Sequence, residues 1–318
     1  MKFVKYIAAA AIAAAFAAPA SAATLGMADL QITGLVVLNA AGAPVTSGIV
    51  INSESRTGTA ASSYNDVDGV GTGNNSKTTT NPVGQIPNNG EIDVKYRCAG
   101  PACGSAALNT LYNGQLENNG TTHVGATNLS YAIGDMFISG SAIQQAGANG
   151  ITRADSAVDN PNGIASANAT IANSVTATAN FTATQTLQAR FALGYNAFVK
   201  AFVDTLAPGV SATSLGTISW VLTLHEVGTA DPVLLFQPTE VNRGLTSSNA
   251  SQNNEYSASG NVLSNFVTLT AGRQYLLAIN QASNSIAAEV NDVPEPSSIL
   301  LMGLGLLAVG ATARRRTK

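Results

Sequence analysis

The sequence predicts an all-β body, an antiparallel β-sandwich of jelly-roll type. Three observations carry this. Short stretches alternate apolar and polar residues with period two, as in "SLGTISWVLTLHEVG". Turn residues (Gly, Asn, Pro) separate these stretches. No long stretch shows helical amphipathicity, and short alternating strands between turns are what a sandwich requires.

The first elements lie near the start of the body. "QITGLVVLN" and "SGIVINS" read as strands, split by "AAGAPVT". Residues 53–89 are rich in Ser, Thr, Asn and Gly; a polar β surface and a linker both have this composition. "GSAALNTLYNG" reads as a short helix. In 181–204, Leu187, Ala189, Phe191, Leu193 and Tyr195 suit one face of a strand. Leu187, Phe191, Tyr195, Phe198 and Phe202 also suit one face of a helix, and the threonines and Gly194 favour strands. In the next element Ile218, Trp220, Leu222 and Leu224 share a face opposite Ser219, Thr223 and His225. "DPVLLFQPTEVN" follows as its hairpin partner. "NVLSNFVTLTAGRQYLLAINQ" reads as a further hairpin turning at Ala271-Gly272, with Tyr275, Leu277 and Ile279 returning on one face. "NSIAAEV" adds a last strand through Ile286, Ala288 and Val290. No internal repeat is visible, and the body reads as one large β domain or two smaller ones.

The two ends differ from the body. Lys2 and Lys5 precede an apolar run, a break at Pro19, and Ala20-Ser21-Ala22. A cationic start, a short apolar core and small residues at the A-x-A positions make a secretory signal peptide, residues 1–22, cleaved after Ala22. At the other end, residues 293–318 read "VPEPSSILLMGLGLLAVGATARRRTK". A rigid polar break is followed by an apolar run, 299–313, and then by Arg314, Arg315, Arg316 and Lys318. As a helix rising roughly 1.5 Å per residue the run barely crosses a bilayer core. Arginines beside it favour the cytoplasmic side, leaving the body, 23–292, outside.

The order of Pro294-Glu295-Pro296, apolar helix and Arg314-Arg315-Arg316 resembles the PEP-CTERM sorting tail of bacterial exported proteins. The resemblance implies processing at or near Pro-Glu-Pro by an exosortase, a membrane protease-transpeptidase. It also implies export across the inner membrane, transient anchoring there, and then a place on the cell surface or in the extracellular matrix. The family occurs in bacteria that make extracellular polysaccharide, so the resemblance implies polysaccharide as a partner and a biofilm setting. "VLSNFVTLTAGRQYLLAINQ" is similar to the final hairpin of many such bodies. "RADSAVDNPNG" with the later "AFVKAFVD" resembles a subgroup with an acidic-Ser-Ala signature.

Charge narrows the partners. Charged residues are 10% of the chain, far below the roughly 25% of ordinary soluble domains. All 18 Asp and Glu lie in the exported part, against nine of the 15 Lys and Arg. Its formal charge is therefore −9, which argues against nucleic acid and anionic membranes as partners.

Chemistry-bearing residues are few. Cys98 and Cys103 flank Gly100-Pro101, and an even count in an exported chain predicts a disulfide. His123 and His225 fall in no catalytic motif, and G-x-S-x-G and phosphate loops are missing. Asp66 and Asp68 in "NDVDGVGTGNN" form a weak calcium candidate beside the simpler reading of a polar loop; Asp155, Asp159, Asn160 and Asn162 form a second. No cofactor and no firm metal site are expected. These observations lead to the expectation of a non-enzymatic structural or adhesive protein. A carbohydrate- or calcium-dependent binding module is the alternative, and a secreted glycoside hydrolase ranks third.

Overall fold

The computed structural model describes residues 23–69, 76–81, 91–117, 122–125, 128–143, 145–159, 163–172, 179–206, 209–249 and 251–291. The predicted signal peptide and the predicted tail helix lie outside them. Among the described residues no helix is long and apolar enough to cross a membrane.

Period-two patterning dictates two faces per strand, and the structure stacks two antiparallel sheets. Sheet A runs β14 (Gln252–Leu263), β10 (Leu187–Val203), β1 (Thr24–Asn39), β7 (Ala148–Val158), β6 (Tyr131–Gly140), β5 (Ile92–Ala99). β15 (Val267–Leu269) also pairs with β10. Sheet B runs β12 (Pro232–Phe236), β11 (Val210–Glu226), β16 (Gln274–Asn291), β8 (Ile164–Ala172), β2 (Ile49–Tyr64), β3 (Val67–Asp68). β13 (Arg243–Ser248) joins β11, β4 (Ser76–Asn81) joins β2, and β9 (Ala179–Ala183) lies between β16 and β2. Within 181–204, residues 181–183 and 187–203 are thus strand, as the threonines and Gly194 favour. The segment 53–89 contributes the rest of β2, then β3 and β4. The short helix forms as α1 (Ala106–Leu111), with Ser105 as its N-cap.

Aliphatic and aromatic side chains fill one half of the sandwich. Ile218, Trp220, Leu222 and Leu224 of β11 are buried with Phe181, Phe191 and Tyr275. Trp220 meets Phe236 edge to face, with centroids 5.6 Å apart. The other half holds small and polar side chains. Ser156 and Ser285 share a hydrogen bond of 2.7 Å, and Thr152 and Ser283 one of 2.9 Å. Thr24 Oγ1 donates to Glu289 Oε1 at 2.8 Å. Buried hydroxyls must pair in this way, because an unsatisfied one costs about 1–3 kcal/mol. A Cβ on Gly26 would sit 2.4 Å from the Leu215 carbonyl and 2.5 Å from that of Ile286, so the sheets approach closely here.

Two sequence expectations are corrected. Ala271-Gly272 does turn the chain, with Gly272 at φ 77°. It does not close a hairpin, since β15 pairs with β10 in sheet A while β16 belongs to sheet B. The turn is a corner between the sheets. "NSIAAEV" is the second half of the continuous β16, and Ile286, Ala288 and Val290 point outward. Ser283, Ser285, Ala287 and Glu289 face the other sheet, while Ile286 and Val290 are exposed.

Candidate functional site

Most of the outer face of sheet A is a second alternation of residues, and at one end it is covered. After β5 the chain turns at Gly100 (φ 107°), and Cys98 and Cys103 form a disulfide with Cα atoms 5.7 Å apart. Leu108 of α1, Tyr112 and Val124 then pack over Leu25, Met27, Ile133 and Phe198. This cover exists because α1 presents a buried Leu108 and is stopped by Asn113 (φ 53°) and Gly114 (φ 74°).

Charged side chains lie beneath the cover. Register places Asp29 of β1 and Asp135 of β6 opposite Arg153 of β7, with Asp155 two residues further along. All four are at most 1% exposed. Arg153 Nε donates to Asp155 Oδ2 at 2.6 Å and lies 3.7 Å from Asp29 Oδ1. The Arg153 guanidinium sits over the Tyr112 ring, 4.3 Å from its centroid. Tyr112 donates to Asp155 Oδ2 at 2.9 Å, and its hydroxyl is 2.9 Å from that of Tyr131. His123 stacks on Phe198 at 3.5 Å, with Nε2 3.4 Å from Asp29 Oδ2.

Burial governs the protonation of this cluster. It pushes the Asp155 carboxyl up to about 7; the Arg153 charge opposes the rise and Asp29 adds to it. Burial raises both tyrosines, and nearby Asp155 raises them further. Burial disfavours the charged guanidinium of Arg153, but Asp155 and Asp29 reverse that and raise it overall. The arrangement holds one cation between two carboxylates and locks the cover to the sheet.

The sequence-predicted residues are distributed differently. Asn65 (φ 48°) and Asp66 (φ 61°) are the two-residue turn joining β2 to β3, and Asp68 pairs with Ser63; residues 70–75 of the candidate calcium loop lie outside the described residues. Asp155 is in mid-strand, so it does not form a loop with Asp159; Asn160 and Asn162 lie outside the described residues. Among the described residues the acids that could share an ion are Asp93, Glu117 and Asp135, with ligand atoms within 4.8 Å. Lys95 Nζ already lies 3.5 Å from Asp93 and 3.4 Å from Glu117. These carboxylates, Glu117 above all, raise its pKa. His225 is a half-buried residue on the outward face of β11, as its alternation predicts. Asp29, Arg153, Tyr112 and Glu289 were not singled out by patterning. The available signal was a charge interrupting an apolar strand, as in "TLGMADLQI" and "ITRADSAV".

The strands deliver the C-terminus of the body to one place: β16 ends at Asn291, and the tail follows at once. Residues 292–316 match the PEP-CTERM protein-sorting motif. The PEP-CTERM match spans Pro294, Glu295, Pro296, the apolar run and Arg314 to Arg316, all outside the described residues. So do the predicted cleavage residues Ala20 and Ala22. The motif indicates an exported protein that an exosortase processes and sorts to the cell surface. No curated protein matches the chain.

Proposed function

We propose that this protein is a non-enzymatic, surface-sorted component of an extracellular polysaccharide matrix, with a structural or adhesive role. The single observation that carries the reading is the sorting motif at 292–316, which directly follows the last strand of the β body. The body's own chemistry supports it. Its charged cluster is tied up in packing, with Arg153 held between Asp29 and Asp155 and His123 stacked on Phe198. A rigid antiparallel sandwich, closed by a disulfide at its covered end, suits an extracellular scaffold. In the precursor the apolar run 299–313 spans the inner membrane, and the exosortase acts near Pro294-Glu295-Pro296. Fractionation with intact-mass measurement tests this. The protein should partition with the polysaccharide matrix and lack residues 1–22 and the arginine-ended tail. Surface-located protein that retains Arg314–Lys318 would mean a permanent anchor instead.

A further inference from the structure

The outer face of sheet B contrasts with that of sheet A, which is covered at one end. Outward positions on β11 are the odd residues 211–225, and on β16 the even residues 276–290. On β8 they include Ile164 and Ser166, and on β2 Thr57 to Ser63 by alternation. Among these described positions there is no Lys, Arg, Asp or Glu. Such a width of sheet without charge is unusual for solvated surface, where mixed charge is the norm. It offers no cation to a polyanion, which a body of formal charge −9 would repel.

A groove of about 310 Å³ opens on this face, at the lower end of the range of ligand pockets, roughly 300–1,000 Å³. Ser62, Ser63, Asp68, Ser166, Asn284 and Ile286 line it. The Ser63 and Ser166 hydroxyls are 2.8 Å apart. Asp68, at the rim on β3, offers acceptors to a vicinal diol. Ile286 is 38% exposed and offers an apolar patch.

We infer that this groove binds an uncharged polysaccharide, laid across β2, β8 and β16. Strands about 4.8 Å apart present rows of short hydroxyl, amide and methyl groups. A neutral sugar chain carries the matching pattern, hydroxyls around its ring edges and C–H groups on its ring faces. The inference rests on the matrix reading and adds the site and the class of sugar.

The test is affinity electrophoresis of the exported protein in gels containing dextran, laminarin, xyloglucan or, as the acidic control, alginate. Retardation by at least one neutral glucan and none by alginate is expected. Asn284→Lys and Ser166→Arg should each weaken it about tenfold, while Ser259→Arg on β14 should not. Circular dichroism melting checks that all variants are folded. No retardation by any neutral glucan, stronger retardation by alginate, or retardation that both groove variants leave unchanged would overturn the inference. So would a dimer in analytical ultracentrifugation that Asn284→Lys converts to monomer, since the face would then be a self-association surface. Partition with the cell matrix is measured separately. Wild-type protein in the matrix without glucan binding sinks only the groove; glucan binding without matrix partition sinks only the matrix role.

Discussion

Ser156 Oγ on sheet A and Ser285 Oγ on sheet B lie 2.7 Å apart across the interior of the sandwich. A contact this short between sheets requires small neighbours, and Gly26 supplies the space against the carbonyls of Leu215 and Ile286. Gly26→Ala should therefore destabilise by about 1–3 kcal/mol or more, because backbone on both sides must move. Ser285→Ala should cost about 1 kcal/mol, the worth of one hydrogen bond. Urea unfolding of the two variants checks the order. A midpoint lowered less by Gly26→Ala than by Ser285→Ala would contradict the close approach.

The buried charges predict a different pattern. Arg153→Met leaves Asp29 and Asp155 facing each other without their cation, at 1% and 0% exposure. Losing one partner of a buried ion pair costs about 3–5 kcal/mol. The double variant Arg153→Met/Asp155→Asn should recover part of this, because one uncompensated charge is gone. Denaturant titration should show the double variant more stable than the single one. The reverse order would mean that Arg153 matters through packing alone.

Alternation made the strands legible. Ile218, Trp220, Leu222 and Leu224 could be placed on one buried face from the sequence because their partners across the core are also apolar. The same rule does not say which face of a strand is buried: the far half of β16 buries Ser283, Ser285 and Glu289 and leaves Ile286 and Val290 exposed. A polar core is stabilised by pairings such as Thr24 with Glu289, residues 265 apart in sequence, and no local pattern carries that information. The corner at Ala271-Gly272 was read as a hairpin for a related reason: turn residues fix a reversal of the chain but not the sheet it enters. The charged cluster was missed because Asp29 and Arg153 become neighbours only through the β1–β7 register.

Glu289 gives the protein a pH dependence. Burial, opposed by the Thr24 hydrogen bond and reinforced by Asp159, pushes its carboxyl up from 4.5 to about 7. Between these values the folded protein binds more protons than the unfolded chain, so stability falls as pH rises through that window. Asp155, also raised to about 7, acts in the same direction. The wild type should melt at a higher temperature at pH 5 than at pH 8. Glu289→Gln, which keeps an acceptor for Thr24, should shrink that difference and raise the melting temperature at pH 8. An unchanged difference would show that Glu289 is ionised in the fold throughout.

The disulfide predicts a modest effect. Alkylation of exported protein without prior reduction should label neither Cys98 nor Cys103. The bridge closes a loop with a sequence separation of 5. Constraint of so short a loop in the unfolded chain stabilises by about 2 kcal/mol. Cys98→Ser should lower stability by about that amount in chemical denaturation. A much larger loss would mean that the bridge holds α1 and Tyr112 over Asp29 and Arg153 rather than merely shortening the unfolded chain.

The sorting tail separates two steps that fail differently. The apolar run 299–313 has about the minimum length for a span, so its flanking charges matter more than they would for a longer helix. Replacing Arg314, Arg315 and Arg316 with Ala should weaken retention of the tail on the cytoplasmic side. Precursor would then slip through the membrane or insert in mixed orientation, and sorting would fail with Pro294-Glu295-Pro296 intact. Glu295→Ala leaves the apolar run and its arginines unchanged. It should permit normal insertion and block only processing, because the exosortase reads the motif. Immunoblots combined with protease accessibility distinguish the two products. Mislocalised precursor should accumulate in the first variant and correctly inserted precursor in the second. Normal processing in both would mean that neither the motif nor the charges direct the tail, and that the segment after Asn291 serves only as an anchor.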